Sequence, residues 1–199
     1  TWRATGSLNV GLMEHTATLL ASGQVLVVRD SHAELYDPAL GTWHTVADLP
    51  EESREHTATL LPSGEVLVVG GWRGSMALRF NPRTETWRTA RPSPTARMSH
   101  AAVLLASGQV LVAGGHWRSA MEEERSFASA ELYDPTSNTW TPTGPLHAEA
   151  RSASALLLAS GKVMLTSGSD TVELYDPERS TWTALVTPLE RAWTQVALA

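Results

Sequence analysis

Apolar positions in this chain fall in short runs of period two. His56-Thr57-Ala58-Thr59-Leu60-Leu61 is broken by Pro62-Ser63-Gly64, resumes as Glu65-Val66-Leu67-Val68-Val69 and stops at Gly70-Gly71. Two β-branched, apolar runs around a Ser-Gly turn predict a hairpin, with glycine taking the positive φ. A third run, Ala77 to Phe80, ends at Asn81-Pro82, and a fourth carries Thr86-Trp87. Asn or Asp followed by Pro suits a type I turn, so the chain reverses between the third and fourth runs. The unit is four short antiparallel strands, here called a, b, c and d. No stretch sustains a helical period.

The chain writes this unit four times. The other copies open at His15, His100 and Ala153 and turn at Ser22-Gly23, Ser107-Gly108 and Ser160-Gly161. Their third runs read Glu-Leu-Tyr-Asp-Pro from Glu34, Glu131 and Glu173. Each copy closes on Thr-Trp, at Trp43, Trp87, Trp140 and Trp182, spaced 44, 53 and 42 residues apart, and Trp2 stands 41 residues before the first. A period of forty-odd residues marks a propeller or solenoid. A lone four-stranded sheet has two apolar faces and cannot bury both; fanning the sheets about an axis buries them. Tyr36, Phe80, Tyr133, Tyr175 and the recurring tryptophans are suited to fill the wedges between sheets.

These markers in register (strand a, Gly-Gly after strand b, Glu-Leu-Tyr-Asp-Pro, Thr-Trp) resemble the Kelch repeat, and the His-Thr-Ala-Thr-Leu-Leu opening is similar to its bacterial variety. The resemblance covers residues 12–185. It implies an all-β propeller, commonly of five to seven blades, with strand a lining the central channel. The expected architecture is four full four-stranded antiparallel blades, about 12–46, 54–90, 98–143 and 151–185, within one domain spanning 1–199. Stubs at 1–4 and 191–199 would supply a strand d and a strand a, so the chain is read as a piece of a larger propeller, a compact ring or half of a dimeric one. Departures from the pattern are Arg29-Asp30 and Ser167-Gly168 in place of Gly-Gly, and Ala153 in place of histidine.

Composition narrows the partners. The net charge is −6, with 15 basic and 21 acidic residues and no basic run; nucleic acid would need a clustered Lys/Arg face. The longest apolar run is Ala101 to Ala106, far short of the ~20 residues that span a bilayer. Cysteine is absent, which excludes thiolate chemistry and, with it, the copper-radical oxidases that use a Kelch propeller. No signal peptide is visible, yet the chain opens at Thr1, so removal of a leader is expected. The compartment is left open, a secreted or cell-surface one being preferred to the cytoplasm.

Three histidines, His15, His56 and His100, open strand a and could converge on the axis as metal ligands; zinc would need their nitrogens within about 2.0–2.1 Å. This is the alternative reading, a metal-dependent enzyme. A residue repeated in every blade more often serves the repeat, and the fourth copy does without it. The same holds for the recurring Glu and Trp. Residues that break the repeat are better candidates for function. With strand a innermost, the d–a and b–c loops share one face of the propeller. That face is expected to carry Arg54, Arg97 and Arg151 from d–a loops, Trp72-Arg73 and His116-Trp117-Arg118 from b–c loops, and Trp193 from the last stub. Aromatic and arginine side chains on one rim supply flat area and bidentate donors. The acidic run Glu122-Glu123-Glu124 is expected to be a solvated loop tip. The sequence thus predicts a non-enzymatic binding module with no catalytic residue and no cofactor. Its expected partner is a protein or peptide of acidic character, and an unpaired strand edge at the incomplete ends adds homo-oligomer formation.

Overall fold

The computed structural model describes residues 4–11, 14–72, 74–118, 123–168 and 171–185. Blade 1 is β1 (Thr16–Leu19), β2 (Val25–Arg29), β3 (His32–Asp37) and β4 (Thr42–Thr45); blade 2 is β5 (Thr57–Leu60), β6 (Val66–Val69), β7 (Ala77–Asn81) and β8 (Thr86–Thr89). Blade 3 has β9 (Ala101–Leu104) and β10 (Val110–Ala113), a small hairpin of β11 (His116–Trp117) and β12 (Arg125–Ser126), then β13 (Ala130–Asp134) and β14 (Thr139–Pro142). Blade 4 is β15 (Ala153–Leu157), β16 (Val163–Ser167), β17 (Val172–Asp176) and β18 (Thr181–Leu185). Each blade is an antiparallel sheet in the order a-b-c-d. Among the described residues there is no helix. Trp2 and the stub from Arg191 to Ala199 lie outside the described residues.

The period-two pattern does what it predicts. Alternate residues of each strand face opposite neighbours, and three apolar clusters form, one between each successive pair of blades. Leu26, Val28 and Leu35 of blade 1 meet Val66, Val68 and Phe80 of blade 2. Leu67 and Val69 of blade 2 meet Val110, Val112 and Tyr133 of blade 3. Leu111 and Ala113 of blade 3 meet Val163, Leu165 and Tyr175 of blade 4. Strands β1, β5, β9 and β15 are neighbours in that order, so the a strands are innermost and the blades form an arc.

Each strand-d tryptophan packs in a tilted arrangement, ring centres 4.9–5.0 Å apart, on the Tyr or Phe of its own strand c. Trp43, Trp87 and Trp140 also donate from Nε1 to the carbonyls of Gly6, Ala47 and Arg91 at 3.0, 2.7 and 2.8 Å. The strand-d tryptophan thereby fastens its blade to the loop preceding it.

The d–a loops are held by a second device. Glu34, Glu131 and Glu173 are buried, and a buried carboxylate needs donors. Glu34 accepts from the main chain of Asn9 and Val10, and Glu173 from that of His147 and Ala148. Blade 2 has Leu78 in the Glu position and Pro50, which lacks an N–H, in the donor position; acceptor and donor have gone together. Blade 3 keeps Glu131 but has Pro94 at the donor place, and there Thr95 Oγ1 (2.5 Å) and Arg97 (2.8 Å) donate instead.

Candidate functional site

The a strands open on the face where the d–a and b–c loops emerge. His56 and His100 sit there as links between blades. Nδ1–H of His56 donates to the Ser53 carbonyl at 2.6 Å, leaving Nε2 to accept from Thr16 Oγ1 of blade 1 at 2.8 Å. His100 Nε2 meets Thr57 Oγ1 of blade 2 at 2.8 Å, and its Nδ1 has no hydrogen-bond partner. Both rings are buried. Burial, opposed by the Ser53 carbonyl, lowers the pKa of His56 from 6.5 to about 4. Burial, helped by the charge on Arg97, lowers that of His100 to about 3. His15 is exposed, and the described residues contain no group of three His, Cys, Asp or Glu side chains arranged to hold a metal ion.

The glycine pairs answer to the same contacts. Gly70 has φ +71, and a Cβ there would lie 2.4 Å from the Arg97 carbonyl oxygen and 2.7 Å from Cε1 of His100. Gly114 has φ +66, and its Cβ would lie 2.8 Å from Ala150 Cβ in the loop leading to blade 4. Only glycine tolerates both the conformation and the close approach. Gly168, after strand b of blade 4, would meet nothing within 4 Å.

Of the rim residues expected from sequence, the structure brings three together. Trp72 is 48% exposed and is positioned by its N–H donating to the Arg54 carbonyl at 3.1 Å. The guanidinium of Arg118 lies 5.3 Å above the Trp72 ring, a cation–π arrangement. Trp117, half-buried, packs its ring on Gly74, whose Cβ would lie 3.2 Å from Cη2. An indole, a guanidinium and a second indole thus form one patch across blades 2 and 3.

The other expected rim residues are placed differently. Arg97 has no exposed surface; it donates to Glu131, the Gly114 carbonyl (2.5 Å) and Ser129 Oγ (3.0 Å), and lies 5.5 Å from the Phe127 ring centre. It is withdrawn from the rim because Glu131, with Pro94 upstream, needs a donor. His116 is also buried; its main chain pairs with Met98, and Nδ1 donates to the Arg151 carbonyl at 3.2 Å. Arg54 is exposed but pairs with Asp30 at 2.7 Å, and Arg151 with Glu124 at 2.6 Å. Glu123 and Glu124 are exposed, Glu124 while paired with Arg151, and Glu122 lies outside the described residues. Arg73 and Trp193 lie outside the described residues.

Sequence reasoning missed Asp30 and Gly74. Asp30 was legible as the residue replacing the second glycine of the Gly-Gly pair, where it keeps a positive φ of 49°. The burial of Arg97 had a signal too. It stands three residues before His100, whereas Arg54 and Arg151 stand two before His56 and Ala153.

The blade with the long b–c loop is also where a known family registers. Residues 97–147 match the family described as Kelch motif. Residues 97–147 thus carry a Kelch motif. Kelch repeats are generally protein-interaction modules, and the antiparallel sheets fanned in an arc agree with a Kelch propeller. A comparison with curated proteins gives no match. Within the described residues no helix is long and apolar enough to cross a membrane.

Proposed function

We propose that this Kelch chain is a non-enzymatic binding module whose contact face is the one bearing the d–a and b–c loops. The observation that supports this reading best is the Trp72–Arg118–Trp117 patch. It is made of residues that the repeat does not require, and Trp72 and Arg118 are exposed. Aromatic and arginine side chains of this kind dominate protein contacts. Among the described residues Arg118 pairs with no carboxylate, while Arg54 and Arg151 are neutralised by Asp30 and Glu124. The partner is accordingly a peptide segment offering apolar surface to Trp72 and an acidic side chain to Arg118, rather than a strongly acidic surface.

Selection of peptides from a random displayed library, followed by titration against variants, tests this. Trp72→Ala and Arg118→Ala should each weaken the selected peptides about tenfold or more, that is by ~1.4 kcal/mol. The melting temperature should not change, because neither side chain is buried. Peptides that bind both variants as well as the parent would overturn the reading, and a folding defect would make the patch structural.

A further inference from the structure

Among the described residues, the two outer faces of the arc carry what the inner faces carry, without a neighbouring blade. Forward-facing residues of blades 1 to 3 include Leu26, Leu67 and Leu111, all fully buried against the next blade. Met164 is their equivalent in blade 4 and is only half-buried; Leu156, the equivalent of half-buried Val103, is 58% exposed. Backward-facing residues include Val66, Val110 and Val163, and Phe80, Tyr133 and Tyr175, each 0% exposed. Their counterparts in blade 1, Val25 and Tyr36, are half-buried, and Leu19, the counterpart of half-buried Leu60, is 65% exposed.

The polar link repeats as well. Between blades 1 and 2, and again between 2 and 3, a hydroxyl on the forward face (Thr16, Thr57) meets a histidine of the next blade (His56, His100). Blade 4 offers exposed Ser154 in the hydroxyl position, and blade 1 offers exposed His15 in the histidine position. One end has the acceptor face and the other the donor face of the same seam.

We propose that blade 4 of one copy of this chain seats on blade 1 of a second copy. The new seam would place Leu156, Met164 and Leu174 against Leu19, Val25 and Tyr36, with Ser154 meeting His15. The contact is head-to-tail, so two copies close a ring if the rotation fits. The resulting eight blades fall within the range of about 4–8 that propellers use.

Sedimentation of the full chain over a dilution series tests this against a chain mass of 21.5 kDa. The parent should show a species of twice that mass that dissociates on dilution. Leu19→Arg and Leu156→Arg, both at exposed positions, should each be monomeric, with the melting temperature the parent shows when diluted to its own monomer. An equimolar mixture of the two should regain a two-chain species, weaker than the parent's, because one seam then joins two intact faces. A parent that stays monomeric at every concentration overturns the proposal. Single variants that associate like the parent also overturn it. So does a mixture that stays monomeric, which would mean like faces pair with like.

Discussion

The seam between blades 2 and 3 and the seam between blades 3 and 4 are both lined by apolar side chains but are pinned differently. At the first, the His100 ring crosses from blade 3 to the Thr57 hydroxyl on blade 2 and rests over Gly70. At the second, both partners have been replaced. Ala101 stands where Thr57 would be and Ala153 where His100 would be, and Gly114 faces Ala150 and Ala153 instead of a ring. Removing only one partner would leave a buried ring or hydroxyl unsatisfied; removing both leaves a dry contact that costs little. The seam is therefore specified by its apolar shape, and the hydrogen bond is an optional pin that comes and goes as a pair.

The largest effect should come from filling the space that both seams keep empty. Gly70→Ala and Gly114→Ala should each destabilise by about 3 kcal/mol or more, from the positive φ and the collision together. Gly168→Ala, with open space around it, should stay within about 0.5 kcal/mol of the parent. Equal denaturation midpoints for all three would sink the account of the glycine pairs. Next in size is the pin itself. His100→Ala should cost about 2–3 kcal/mol, and the cycle with Thr57→Ala should show a coupling of about 1 kcal/mol. A coupling of zero would reduce the pin to packing.

Acid should separate the seams more gently. His56 and His100 are held neutral when folded, with pKa values of about 4 and about 3, whereas the unfolded chain binds their protons below about 6.5. The unfolded state therefore gains protons first, and stability is lost as pH falls from 6.5 towards those folded values. At pH 5.5 each ring should cost about 1 kcal/mol. In blade 4 the matching strand-a position is Ala153. Thr57→Ala/His100→Ala should accordingly lose about one proton from the slope of stability against pH; an unchanged slope would contradict the burial of His100.

The fold was legible because it is local and repeated. Period-two runs, Ser-Gly turns and Asp-Pro turns each fix a piece of a blade, and four registered copies fix their stacking. The β11–β12 hairpin was not legible. His116-Trp117 and Arg125-Ser126 are too short to alternate, and they pair only because blade 3 has a 53-residue step to accommodate. The rim was half legible. Trp72, Trp117 and Arg118 were found because they break the repeat, but the same criterion drew in Arg97, whose role is set by a glutamate 34 residues away in sequence. Arg54 and Arg151 had their counter-charges supplied by the b–c loops, at Asp30 and Glu124, a pairing that only the folded arc reveals.

The nearest-neighbour layout has a kinetic side. Among the described residues each inner blade is clasped from both sides, whereas β15 to β18 is clasped from one, through the seam without a strand-a histidine. Opening fluctuations then cost least at that end, so amide hydrogens there should exchange with solvent sooner than those of blades 2 and 3. Pairing of two copies would erase that gradient, turning the weakest blade of the monomer into one clasped like the rest.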